Sequence, residues 1–221
     1  MRPIVKICGI TRAEDVKMCV RHGADIVGFV VDYPRPVPWN LRAADAKGLI
    51  SAVPSPAGTC IVTGGPPGKV LRLALELQPD YIQLHGGESL ADTARLADAL
   101  RPRGVKIIKT VFPDTSKEAA IAFCAAGVYA LLLDPRAPEN AATGGTADLD
   151  AYVQLRRAVR IPVILAGGIH HGNVAEIVRL TKAPAVDLMT GVERCPGMKD
   201  EAKVVAFFHA LRGISLFYES G

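Results

Sequence analysis

Eight short apolar runs punctuate the chain from end to end, and the stretches between them carry helical periodicity; no other property limits its fold so strongly. The runs cover 4–8, 26–31, 59–63, 81–84, 105–111, 130–133, 163–166 and 185–189. Most are rich in Val, Ile and Leu without strict polar alternation, as parallel strands covered on both faces require. Amphipathic segments at 13–22, 69–77, 90–100, 117–126, 149–159 and 173–180 read as helices. Thr11 followed by Glu14 has the spacing of a capping box, and Gly23 after His22 stands where a helix should stop. A strand feeding a helix eight times over closes into an α/β fold of the (β/α)8 TIM-barrel type, whereas an open doubly wound sheet usually has five or six strands. The expected organisation is a single barrel domain over 1–221, with 213–221 a C-terminal tail docked on it.

Composition removes several classes of function. The chain has 221 residues, 49% hydrophobic and 22% charged, as in a compact folded protein. A net charge of +4 without any block of like charge argues against a nucleic-acid partner but suits an anionic small molecule. No run reaches the roughly 18 to 20 apolar residues of a membrane helix, and the N-terminus lacks a secretory pattern, so a cytoplasmic location without membrane contact is expected. The five cysteines are odd in number and lack a C-x-x-C pair, so they read as free thiols rather than a disulfide framework or a zinc site. His170 and His171 are adjacent instead of spaced for one helix face, so no metal is expected either.

Barrels keep their chemistry at the carboxyl ends of the strands, where the longest irregular stretches, 32–40 and 135–148, also lie. The polar residues delivered there are Cys8, Asp32, His85, Asp134 and Asp187. Cys8 is either a small buried filler or a thiol facing the mouth, where a nearby cation would favour the thiolate. Asp134 closes the run 130–133; desolvation there would raise its pKa and make it a proton donor, while the alternative is a cap for the loop at Pro135 and Arg136. His85 either meets substrate or satisfies neighbouring backbone groups. Gly167-Gly168 and Thr190-Gly191 follow neighbouring strands and together suggest a phosphate cradle, although each pair alone reads equally well as a turn needing glycine. The glycine and proline run at 64–68 has too few N–H groups to favour a second cradle.

Several separated motifs, in order, resemble those of the phosphoribosylanthranilate isomerase family: "KICGIT" at 6–11, "GADIVGFV" at 23–30, "QLHG" at 83–86, "LLLD" at 131–134, "LAGGI" at 165–169, and Gly191-Val192-Glu193 with Pro196-Gly197 and Lys199-Asp200. The resemblance runs from Val5 to about Asp200. It implies a TIM barrel in tryptophan biosynthesis that performs an Amadori rearrangement of N-(5-phosphoribosyl)anthranilate without metal or organic cofactor. It implies Cys8 as general base and Asp134 as general acid, with phosphate on Gly167, Gly168, Thr190 and Gly191 and Asp187 near the sugar. The implied partner is a phosphorylated small molecule, on a chain that is a monomer or homodimer.

Three stretches depart from the family pattern. The loop after the second strand reads Asp32-Tyr33-Pro34-Arg35-Pro36-Val37-Pro38-Trp39-Asn40, with Trp39 near the place of an arginine that the family turns to the anthranilate carboxylate. Arg35 is then a candidate for that charge and Trp39 for stacking on the aromatic ring. The third strand ends in Ile61-Val62-Thr63-Gly64-Gly65, and the loop glycines have become Gly144-Gly145-Thr146-Ala147. These changes leave open a paralogous isomerase for another phosphoribosyl amine, and, from a different class, a phosphate-ligand-binding barrel without catalysis.

Overall fold

A computed structural model describes residues 2–136 and 145–214. The strands are β1 (Ile4–Ile7), β2 (Ile26–Val31), β3 (Asn40–Leu41), β4 (Gly58–Thr63), β5 (Tyr81–Leu84), β6 (Lys106–Val111), β7 (Ala130–Leu133), β8 (Val163–Ala166), β9 (Ala185–Leu188), β10 (Glu193–Cys195) and β11 (Met198–Lys199). The helices are α1 (Ala13–His22), α2 (Ala43–Ser51), α3 (Pro67–Leu77), α4 (Leu90–Leu100), α5 (Lys117–Ala125), α6 (Leu149–Ala158), α7 (Val174–Thr181) and α8 (Glu201–Ala210). Strands β1, β2 and β4 to β9 form one parallel sheet, and pairing of β1 with both β9 and β2 closes it into a barrel. The two-residue β3 adds to β2, and β10 with β11 makes a separate antiparallel hairpin after the last barrel strand.

Alternation along each strand sorts its residues between two buried surfaces. Val5, Ile7, Val27, Phe29, Leu131 and Leu133 pack outward against the helices, whereas Ile26, Cys60, Ile108, Ala130, Leu132, Ile164, Ala166 and Ala185 fill the barrel. With both faces covered, the strands show no polar side and read as continuous apolar runs. A third cluster of Cys8, Val30, Tyr33, Trp39 and Val62 sits at the carboxyl ends and walls the mouth.

Helix α2 follows β2 and β3 and α8 follows β9, completing the alternation beyond the six helices read from periodicity. Gly23 terminates α1 as expected, with a left-handed φ of 118° and its N–H on Cys19 and Val20 carbonyls. The expected capping box does not form. Arg12 is the N-cap without a side-chain cap bond, and the Thr11 hydroxyl instead donates to the Gly197 carbonyl at 2.6 Å. A tertiary acceptor beyond β10 thus takes the hydroxyl that the local motif would use. Gly144 and most of the tail, 215–221, lie outside the described residues. Among the described residues no helix is long and apolar enough to cross a membrane.

Candidate active site

Strand β1 carries two functional groups on its inward face, Lys6 and, just beyond the strand, Cys8. The Lys6 ammonium lies 3.0 Å from both carboxylate oxygens of Asp187 on the adjacent β9, in register with it. Burial alone would drive the ammonium toward neutrality, but Asp187 together with the neighbouring Cys8 and Cys60 outweighs it, and Lys6 is held protonated above its ordinary range. Gly28 on β2 leaves the room these side chains need: a Cβ there would sit 2.8 Å from Cys8 Sγ and 3.2 Å from Lys6 Cε. Burial raises the Cys8 thiol above its ordinary value, and the Lys6 charge opposes without overcoming it. Cys60 and Cys19, pushed up to about 12 by burial, behave as filler thiols.

An open cleft lies over these groups. Cys8, Trp39, His85, Asp134 and Asp187 all line it, as do Gly167, Thr190 and Gly191. Gly168 is exposed and does not line it. Arg35 is exposed and does not line the cleft, so the structure does not bring it to the mouth where the sequence reading placed a cation.

The acid at the end of β7 departs from expectation. Burial does push Asp134 upward, but the guanidinium of Arg136 binds both of its oxygens, Nε at 2.9 Å and Nη2 at 2.8 Å, and the net shift is downward. The carboxyl expected to be poised near neutrality is an ionised partner of arginine. Its Oδ1 also accepts the Arg136 backbone N–H at 2.9 Å, so the loop-capping role is present as well.

His85 is buried, with its Nδ1 near Gln83 Nε2 at 3.2 Å and Thr110 Oγ1 at 3.3 Å. Burial depresses its pKa to about 4, so the ring is neutral across the physiological range. The wall opposite is aromatic. The Trp39 indole donates to Glu193 Oε1 at 2.8 Å, and Glu193 also accepts from Lys199 Nζ at 2.9 Å, which ties the loop after β2 to the β10–β11 hairpin.

At the other rim the glycines are demanded by close packing. Gly168 has a φ of 59°, and a Cβ on it would lie 2.6 Å from the Gly145 carbonyl oxygen; one on Gly191 would meet the Ile169 carbonyl oxygen. Asn173 links this rim internally, accepting from the His170 N–H and donating to the Gly168 carbonyl at 2.9 Å.

Two residues of the site escaped the sequence reading. Lys6 is a lysine inside an apolar run, and its inward alternation with Cys8 was the available signal. Arg136 stands in a loop, where sequence does not reveal which way a long side chain turns.

Known proteins resemble this chain along most of its length. The family model described as N-(5'-phosphoribosyl)anthranilate (PRA) isomerase matches residues 5–210. An N-(5'-phosphoribosyl)anthranilate isomerase of Haloferax volcanii is 38% identical over 210 residues, covering 94% of this chain and 92% of its own. Phosphoribosyl anthranilate isomerase of Thermotoga maritima superposes with a TM-score of 0.82 at 31% identity, covering 96% of this chain and 100% of the other. A phosphoribosyl anthranilate isomerase in complex with reduced 1-(o-carboxyphenylamino)-1-deoxyribulose 5-phosphate superposes with a TM-score of 0.79 at 29% identity, with 96% and 100% covered.

Proposed function

The chain belongs to the N-(5'-phosphoribosyl)anthranilate isomerase family, and from that premise we infer how its own residues divide the work. The reaction is the Amadori rearrangement of N-(5-phosphoribosyl)anthranilate to the 1-deoxyribulose 5-phosphate product, a step of tryptophan biosynthesis. The observation that carries the assignment is that a thiol from β1 and a carboxyl from β7 line one cleft beside the glycine turns after β8 and β9.

In this reading Asp134, once protonated, donates to the ribose ring oxygen. The ring opens, and the nitrogen lone pair forms an iminium that acidifies the C2 hydrogen. The Cys8 thiolate takes that proton, and the resulting enolamine tautomerises to the ketone. Lys6 supports the base by placing positive charge beside the sulfur. Asp187, fixed by Lys6, faces the sugar, and His85 offers a neutral polar group to it. Trp39 flanks the aromatic ring. Backbone N–H groups of Gly167, Gly168, Thr190 and Gly191 hold the phosphate. Arg35, exposed at the rim, has no part in the chemical step.

Anthranilate compounds fluoresce, so the test is a fluorescence assay with purified protein. Loss of substrate signal is expected; absence of turnover above background would overturn the reading.

A further inference from the structure

The substrate carries a second anion besides its phosphate: the carboxylate ortho to the anthranilate nitrogen. Among the described residues that line the cleft, Arg136 alone carries a permanent positive charge. We propose that Arg136 recognises this carboxylate, leaving Asp134 for it when substrate enters and so releasing Asp134 to carry the proton. The proposal rests on the isomerase reading and adds to it the group that reads the aromatic end.

Geometry and chemistry agree on this exchange. The guanidinium side chain is only 15% exposed, and its charge acts on Cys8 and Asp187 as well as on Asp134, which places it over the centre of the mouth. Its stem rests against Gly145, where a Cβ would lie 2.8 Å from Arg136 Cγ. Two of its five N–H groups now form a fork on Asp134, the pairing that a benzoate carboxylate reproduces bidentately. In the substrate, the glycosidic nitrogen and the ring oxygen share one carbon, so a carboxylate ortho to that nitrogen lies within a few ångström of the oxygen that Asp134 must protonate. A cation paired with Asp134 is therefore already beside the incoming anion.

The exchange also removes an obstacle to catalysis. An aspartate locked to arginine is ionised and cannot donate. With the guanidinium turned to substrate, burial favours the neutral carboxyl, which takes one proton from solvent and passes it to the ring oxygen. Cys8 gains the C2 proton in the same turnover, and exchange with water resets both groups.

The test compares kcat/KM for N-(5-phosphoribosyl)anthranilate with that for N-(5-phosphoribosyl)aniline, which lacks the carboxylate. The unmodified enzyme should favour the former by roughly 10- to 100-fold, as a charge-assisted contact implies. In Arg136→Met the preference should fall to within about threefold, a selective loss on the carboxylate-bearing substrate that a purely structural arginine would not produce. Arg136→Lys, which keeps the charge but loses the fork, should fall between them and serves if the Met variant does not fold. A preference that survives in Arg136→Met, or that disappears in Arg35→Met instead, would overturn the proposal. Dissociation constants for the two reduced products separate the failures. Absence of turnover strikes the isomerase reading, whereas an unchanged ratio of these constants strikes the role of Arg136.

Discussion

The Lys6 ammonium sits equidistant, at 3.0 Å, from the two carboxylate oxygens of Asp187, although 181 residues separate them in the chain. The lysine side chain is 1% exposed and that of the aspartate 10%, so the pair is an ionic strut inside the barrel beneath the reacting thiol. Removing one partner strands the other charge. Lys6→Met should therefore lower unfolding free energy by about 3 to 5 kcal/mol, and adding Asp187→Leu should recover most of it. Urea unfolding reads both; a loss below about 1 kcal/mol in the single variant would show that the pair is solvated.

Cys8 and Asp134 should set the pH dependence of turnover together. Its thiol is raised above an ordinary value of 9.0, so the basic thiolate is a minor species at neutrality and grows as pH rises. Asp134, lowered by Arg136, must be protonated in the same step and becomes rarer by the same factor, so kcat/KM should stay flat between about pH 6 and 9, while Cys8→Ala loses most turnover and keeps product affinity. A rise of about tenfold per pH unit would remove Asp134 from the chemistry, and an active alanine variant would return Cys8 to the status of packing.

For Asp134, the amide of Asp134→Asn cannot supply the proton, and kcat should drop by about 10² to 10⁴. Binding of the reduced product should change far less. Parental kcat in this variant would remove Asp134 from the chemistry.

His85 makes the fold sensitive to acid. Its pKa is about 4 in the folded protein against an ordinary 6.5, so between these values the unfolded chain binds the proton and the folded one does not. The stabilisation is complete above pH 6.5 and drains away as pH falls toward 4, a change of about 3 kcal/mol. His85→Asn should flatten this part of the stability curve measured by denaturant titration. An unchanged slope would assign the acid sensitivity to other groups.

Gly28→Ala probes the room beside the thiol. The added methyl would press on Cys8 Sγ, so a loss of about 1 to 3 kcal/mol in stability is expected, with a fall in kcat from the displaced sulfur. Thermal unfolding and turnover measured together check it; a neutral effect on both would mean that the sulfur has space to move.

The sequence by itself determined the barrel. Apolar strand runs and helical spacing are local patterns, and eight repetitions leave few topologies that bury both faces of every strand. Strand-end positions likewise put Cys8, Asp134 and the glycine turns on one rim. Only the tertiary structure decided what those groups experience. Whether Asp134 stands as a free acid or an arginine partner depends on where the flexible stem of Arg136 turns. Trp39 of the loop after β2 is held by Glu193, 154 residues away, whereas Arg35 of the same loop is exposed. Even Thr11, whose neighbours spell a helix cap, spends its hydroxyl on Gly197. Charges and hydrogen bonds answer to whatever the fold sets within a few ångström, and sequence spacing does not encode that distance.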